Sequence, residues 1–517
     1  MTRRTGSALL ASFICLFAAA GAGAADTACR GAQGDRATPA GSKIGVPLPD
    51  TRSCLNPDVL KVLDGNSEDW ASGLAVDGSG NAVIAGETKS FKDKTYGDIF
   101  VAKLDPQGGL LWMATYGGPQ DDGIHPHDEN SEGEGQDAMV DVDESGAVYV
   151  VGRSKSAEAG VYAGVALKLN PDGSLAWSKL FRPKWDNRAG MSAEFHAARV
   201  RKGVLHIVGV VEGETKALLL ALKADTGAVL AKAFVDPTPG SNDRFYSLAV
   251  PSQGDAVYVG GWAGAGGPGL LMKFDFAGGS YKPAWGQLVE IGRGSNFPSL
   301  DVDDAGGLYA VADIHGAKTH AELHRYDAAT GKLTWARRYN AGAANDKTQT
   351  NAVKVAGGDV FLAGKIGFTG TYTHVDSFGD GFLLKLDTAG KLQKELFFFT
   401  GTNPKSFDIV KDVAVVGQDL YWVANHFGPA MVGEWRRPAD YDEIKHPWTE
   451  VDRREVAVTA IKPAVETGSP LEAKDGAGLK ALAFSNVTED AYCDPVTKDT
   501  KPRSAQVYFG VFKDFLK

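Results

Sequence analysis

Histidines and carboxylates cluster together along this 517-residue chain, which holds 10 His in all. The densest segment, DDGIHPHDENSEGEGQD, brings His125, His127, Asp128, Glu129, Glu132 and Glu134 close together. Neutral imidazole beside carboxylate suits zinc, manganese or copper. An extended His125-Pro126-His127 lets both rings face one ion, while the EGEG run offers oxygen ligands for calcium without the spacing of a calcium-binding loop. His196, His315, His320, His374 with Asp376, His426 and His446 add imidazoles elsewhere. A plainer explanation competes: solvated loops collect His, Asp and Glu. No His-Glu-x-x-His and no Gly-x-Ser-x-Gly is present, so neither a zinc-protease helix nor a serine-hydrolase elbow is supported.

The elements that must position these residues repeat. DWASGLAVDGSGNAVIAGETKSFKDKTYGDIFVAKLDPQGGLLWMATYGG, from Asp69, contains two hairpins in tandem. Leu74 and Val76 alternate into a turn at Gly78 and Gly80, then Ala82 and Ile84 follow; Phe100, Ala102 and Leu104 lead through a Pro-Gly turn to Leu111 and Met113. Further units start near Asp137, Phe195, Phe245, Pro298 and Ala352, and DIVKDVAVVGQDLYWVA opens a seventh. Four short strands at a period of roughly 40 to 50 residues predict an all-β fold, a single β-propeller of about seven four-stranded blades. EVAVTAIK, from Glu455, is expected as the third strand of the seventh blade, and VLKVLDG, from Val59, as the last strand that closes the ring and removes its free edge.

In such a blade the strand-2-to-3 loop and the blade-to-blade loop share one rim, and the two hairpin turns share the other. His125, His127 and Asp128 are then expected on the first rim in a blade-to-blade segment, His196 in the next one, and His315, His374 and His426 on strand-2-to-3 loops. A common metal near the axis would draw on His125, His127 and Asp128 with His315, His374 or His426. The Asp-x-x-Gly turns at Asp77, Asp143 and Asp172 read as carboxylates accepting backbone N–H groups. Trp112, Trp177 and Trp335, at equivalent places, read as packing between blades.

Gly97, Asp98, Phe100, Lys103, Leu104, Asp105, Gly108 and Trp112, with Gly379, Asp380, Phe382, Lys385, Leu386, Asp387 and Gly390, resemble the bacterial SBBP-type β-propeller repeat. The resemblance spans about residues 59 to 462. It implies a fold shared by secreted and surface proteins of several functions and transfers no catalytic residue. Asp327, Thr330, Gly331, Lys332 and Trp335 resemble the docking motif of PQQ-like quinoprotein propellers, although a vicinal Cys pair and a set of cofactor-calcium ligands are missing.

A net charge of −10, with 64 Gly and 23 Pro, suits many short strands and tight turns and argues against nucleic acid as a partner. Arg3, Arg4, the apolar run Ala8 to Ala20 and Ala22-Gly23-Ala24 read as a signal peptide over residues 1–25, so an exported protein, periplasmic, cell-surface or secreted, is expected without a membrane span. In that compartment Cys54 is expected to pair with Cys493, with Cys29 as the local alternative for Cys54.

The expected organisation is an N-terminal segment at 26–58, the propeller at 59–463 and an extension at 464–517 packed on it. The function favoured is an exported binding or scaffold propeller whose His- and carboxylate-rich rim holds a protein, glycan or metal ligand. The alternative is an extracytoplasmic metal-assisted polysaccharide lyase or hydrolase. Zinc, manganese, copper or calcium are the cofactors in view, and no nucleotide cofactor is expected.

Overall fold

Alternating apolar residues leave every four-stranded sheet with two faces to cover, so no unit is stable until a neighbour packs on each side. Seven sheets meet this need by packing in a ring, their innermost strands touching in cyclic order. The structure is a computed structural model that describes residues 52–54, 58–63, 69–90, 97–123, 139–156, 161–183, 192–211, 216–264, 266–290, 295–314, 321–340, 346–369, 377–398, 407–427, 449–452, 456–461, 465–466, 471–475, 483–487 and 505–516. All its regular elements are β-strands.

From the axis outward, blade 1 comprises Asp69–Val76, Ala82–Thr88, Asp98–Leu104 and Leu110–Gly117, and blade 3 comprises Ala193–Arg201, Val204–Val211, Lys216–Lys223 and Val229–Val235. Blade 2 lies between them. Its innermost strand is in two pieces, Asp122–Gly123 and Val140–Val142, both paired with Val148–Ser154. Blades 4, 5 and 6 begin with Arg244–Ala249, Ser295–Val302 and Asp346–Ala356.

The lower rim consists of the hairpin turns. Asp77 Oδ1 accepts the amides of Ser79 and Asn81, and Asp172 accepts the Ser174 hydroxyl and amide, which hold its carboxyl below the usual range. These turns also seat the tryptophans. Trp112 donates to the Pro171 carbonyl (2.9 Å) and lies over Gly173 of the next blade, where φ is +83° and a Cβ would stand 2.6 Å from the indole. Trp177 repeats this on Ala224 and Gly227, and Trp285, which the repeat pattern did not single out, on Ala328 and Gly331. Trp335 packs over Gly390. Blades 2, 3, 5 and 6 thus supply the flat glycine surface that the indole of the preceding blade needs.

A second regularity lies on the innermost strands. Six of them carry a β-bulge, formed by Ser72, His196, Tyr246, Phe297 with Pro298, Asn351 and Lys411. The bulge bends the strand and pushes a carbonyl over the second strand. Where that happens in blades 1, 3, 4 and 6 the second strand has Gly86, Gly209, Gly261 and Gly364, each facing the carbonyl of Trp70, Glu194, Arg244 or Gln349. The glycine that recurs within the second strand of these four blades therefore has a steric cause.

Ring closure matches the expectation at its N-terminal end and corrects it at the C-terminal end. Val59–Leu63 is the outermost strand of blade 7. Its neighbour, however, is Ala505–Phe512, which pairs on its other side with Asp419–Phe427. The segment expected in that place, Ala457–Ile461, instead adds to the outer edge of blade 4. It belongs to a belt. Thr449–Asp452, Ala457–Ile461, Val465–Glu466, Glu472–Asp475 and Ala483–Val487 add in turn to the outer strands of blades 5, 4, 3, 2 and 1, while Arg52–Cys54 runs parallel to the outer strand of blade 6. The belt covers strand edges that would otherwise present unpaired N–H and C=O groups. Leu471 buries itself between blades as it passes, and its carbonyl accepts from Lys232 (3.0 Å).

Candidate functional site

The upper rim differs from the lower one in what lies buried beneath it. Asp69 accepts hydrogen bonds from Thr88 and Ser90, and Asp122 accepts from Ser154, Ser156 and the Gly118 amide in the equivalent place of blade 2. In blade 4, Asp243 accepts from Thr238 and Gly264. Burial pushes Asp122 up and Asp243 up to about 6, so these carboxyls hold sharp corners of the rim at an electrostatic cost.

The most concentrated group spans blades 2 and 3. Arg153, only 2% exposed, donates from Nη1 to Glu194 Oε1 (3.1 Å), faces Asp121 with Nη2 (3.5 Å) and lies flat over Tyr162, 3.9 Å from the ring centre. Tyr162 donates to Asp121 (2.9 Å). His196, the bulge residue of blade 3, is 1% exposed and lies stacked on Tyr246 at 4.9 Å. Its Nδ1 lies 2.8 Å from the Phe245 carbonyl, so Nδ1 carries the proton. Its Nε2 is buried without a hydrogen-bond partner, 4.0 Å from Glu194 Oε2. An imidazole tied down through one nitrogen, with the other beside a carboxylate, is a donor set that fits a divalent transition metal.

The two other buried histidines described are core residues. His324 uses both nitrogens, on Tyr326 and Glu322. His206 meets the Tyr281 hydroxyl (2.7 Å), and burial, with a smaller effect from Arg201, holds it down at about 4. An unfolded histidine titrates near 6.5, so the unfolded chain takes up a proton below that pH which the folded chain refuses. Stability should then fall by up to about 3 kcal/mol as pH drops from about 6.5 to 4. Urea titrations at pH 7 and pH 4.5 check this: His206→Phe should lose less than the native protein over the same interval.

The sequence candidates fall as follows. His125, His127, Asp128, His315, His374 and Cys493 lie outside the described residues. His426 is in the second strand of blade 7, opposite Asp408 and Gln506, and Cys54 is opposite Phe397 of blade 6. His196, expected on a loop, is on the innermost strand of blade 3. The segment containing His125 and His127 joins the two pieces of an innermost strand, instead of lying wholly between blades; Gly123, where it leaves, is the register partner of Arg153. Among the described residues no group of three or more His, Cys, Asp or Glu could hold a metal ion by itself. Glu194 and His196, two apart and so on one face of a strand, are the sequence signal for this cluster.

No family model matches the chain, and neither does any curated protein. Solved structures similar to it include the quinohemoprotein alcohol dehydrogenase from Comamonas testosteroni (14% identity over 72% of this chain and 68% of that one, TM-score 0.38). The WD40 repeats of RRP9 match at 8% identity (73% and 92%, TM-score 0.43). The β-propeller domain of the Trilobed protease from Pyrococcus furiosus matches at 9% (69% and 92%, TM-score 0.37). The seven-bladed architecture itself is read from the strand pairing described above. No helix among the described residues is long and apolar enough to cross a membrane.

Proposed function

We propose that this chain is an exported β-propeller of the SBBP-repeat kind that binds its ligand at the upper rim, where a divalent metal is held by imidazole and carboxylate. The observation that carries the reading is the buried Arg153–Glu194–His196 group, whose Arg153 is the register partner of Gly123, two residues before His125-Pro126-His127 in the sequence. A purely structural rim has little reason to bury so much charge. On the lower rim the Asp77 and Asp172 carboxylates accept backbone amides, and the buried ion pair there, Asp77 with Lys103, includes no imidazole. The ligand presented there is a protein or a glycan, and His315, His374 and His426 are the further imidazoles in view.

Metal analysis of the purified mature protein tests this. About one equivalent of zinc, manganese or copper is expected, released as pH falls through about 6 because imidazole ligands must be neutral. His125→Ala with His127→Ala should abolish retention and leave the melting temperature of the metal-free protein nearly unchanged. Stoichiometric metal in that double variant would exclude His125 and His127 as ligands.

A further inference from the structure

Three observations on blade 3 bear on what completes such a metal site, and the inference drawn from them rests on the rim reading just given. The first is that His196 has a structural counterpart. Asn351 occupies the bulge of blade 6 and donates from Nδ2 to the Val410 carbonyl (3.1 Å), as His196 does from Nδ1 to Phe245 (2.8 Å). Each links its own innermost strand to the carbonyl that precedes the next blade's bulge. That task needs one donor, and an asparagine supplies it. Histidine at the same place brings a second nitrogen that the link does not use.

The second observation is the state of that nitrogen. With the proton on Nδ1, the neutral ring leaves a lone pair on Nε2. It is buried and has no hydrogen-bond partner, and stacking on Tyr246 fixes the plane of the ring. The third is the neighbouring carboxylate. Arg153 donates to Glu194 Oε1, and Glu194 Oε2 lies 4.0 Å from His196 Nε2. Two electron-pair donors thus converge, and a species between them must be electropositive. At a tetrahedral ion two bonds of about 2.0–2.2 Å hold their donors roughly 3.4 Å apart, so the 4.0 Å separation must close by roughly 0.6 Å on binding. An outer guanidinium on a ligating carboxylate is the usual second-layer arrangement.

We propose that His196 Nε2 and Glu194 Oε2 are the buried, strand-borne ligands of a divalent transition metal of the zinc type. Two residues apart on one strand, the two side chains lie on one face, and the His196 link to the Phe245 carbonyl and the Arg153–Glu194 pair hold them there.

Zinc affinity measured by competition with a chromophoric chelator tests the assignment, using the native protein, His196→Asn, Glu194→Gln and the His125→Ala/His127→Ala double variant. His196→Asn copies blade 6, so it should fold and melt as the metal-free native protein does. Its zinc affinity should fall by more than the roughly 10- to 100-fold that loss of an outer partner costs. Glu194→Gln keeps the side-chain shape and should weaken binding at least about 10-fold. If His196→Asn and Glu194→Gln both bind zinc as the native protein does, the assignment is overturned, and loss of zinc in the double variant alone would leave the rim reading standing without it. A native protein that takes up no zinc overturns both. Should His196→Asn fail to fold, Glu194→Gln decides: native affinity in that variant rejects the pair.

Discussion

A chain that ends at residue 504 should not form the ring. Removing Ala505–Phe512 takes out the strand between Asp419–Phe427 and Val59–Leu63, so the N-terminal strand loses the strand it pairs with in blade 7. Val507, Phe509 and Val511 are fully buried against Tyr421, Val423, Ile84 and Ala102, in the core shared by blades 7 and 1. Burying such side chains contributes about 1.5–3 kcal/mol each. Three of them approach the roughly 5–15 kcal/mol that separates folded from unfolded domains. The truncated protein should lack near-ultraviolet ellipticity and a cooperative melt, and Phe509→Ala in the full chain should cost about 3–5 kcal/mol. Val458, on the belt strand that was expected in this place, is 36% exposed, and Val458→Ala should cost far less. A truncated chain that melts cooperatively at the native temperature would show that blade 7 does not depend on its third strand.

The contrast between those two strands shows which parts of the fold were legible in the sequence. Hairpins announce themselves locally, through alternation and turn residues, and so do the tryptophans that recur at one place in the unit. The choice of a strand's partner is not local. EVAVTAIK alternates as well as AQVYFGVF does, yet only the latter places a glycine opposite Trp422: Gly510 is its register partner, and a Cβ there would run into the indole. That complementarity has meaning only once the two strands are side by side. The belt escaped for a related reason, since its strands of two to five residues carry too few alternations to be recognised. At the candidate site, the rim topology followed from the repeat, but the bulge did not. The innermost strand of blade 3 already begins at Ala193, so His196 lies within it and not on a loop, buried on the same face as Glu194 two residues before it.

Gly209→Ala should destabilise the protein by about 3 kcal/mol, the upper end of what overpacking a core costs. The added methyl group would overlap the Glu194 carbonyl oxygen, a backbone atom held by the bulge at His196 and unable to swing aside as a side chain would. Relief requires the innermost strand of blade 3 to move or the bulge to be lost. Either change carries Glu194 and His196 with it, so zinc affinity should fall together with stability. Gly86 and Gly364 face the same obstacle in blades 1 and 6, which carry neither Glu194 nor His196, so alanine there should cost stability and leave zinc affinity close to native; Gly261 faces it in blade 4 beside Phe245, whose carbonyl holds His196, so alanine there should lower zinc affinity as well. Gly78 is the control: a Cβ there meets nothing within 4 Å, and Gly78→Ala should lie within about 0.5 kcal/mol of the native protein. Urea denaturation of the five variants distinguishes the steric account from a general intolerance of substitution. If Gly209→Ala proves as stable as Gly78→Ala, the bulge does not require the glycine, and the recurring residue of the repeat needs another cause.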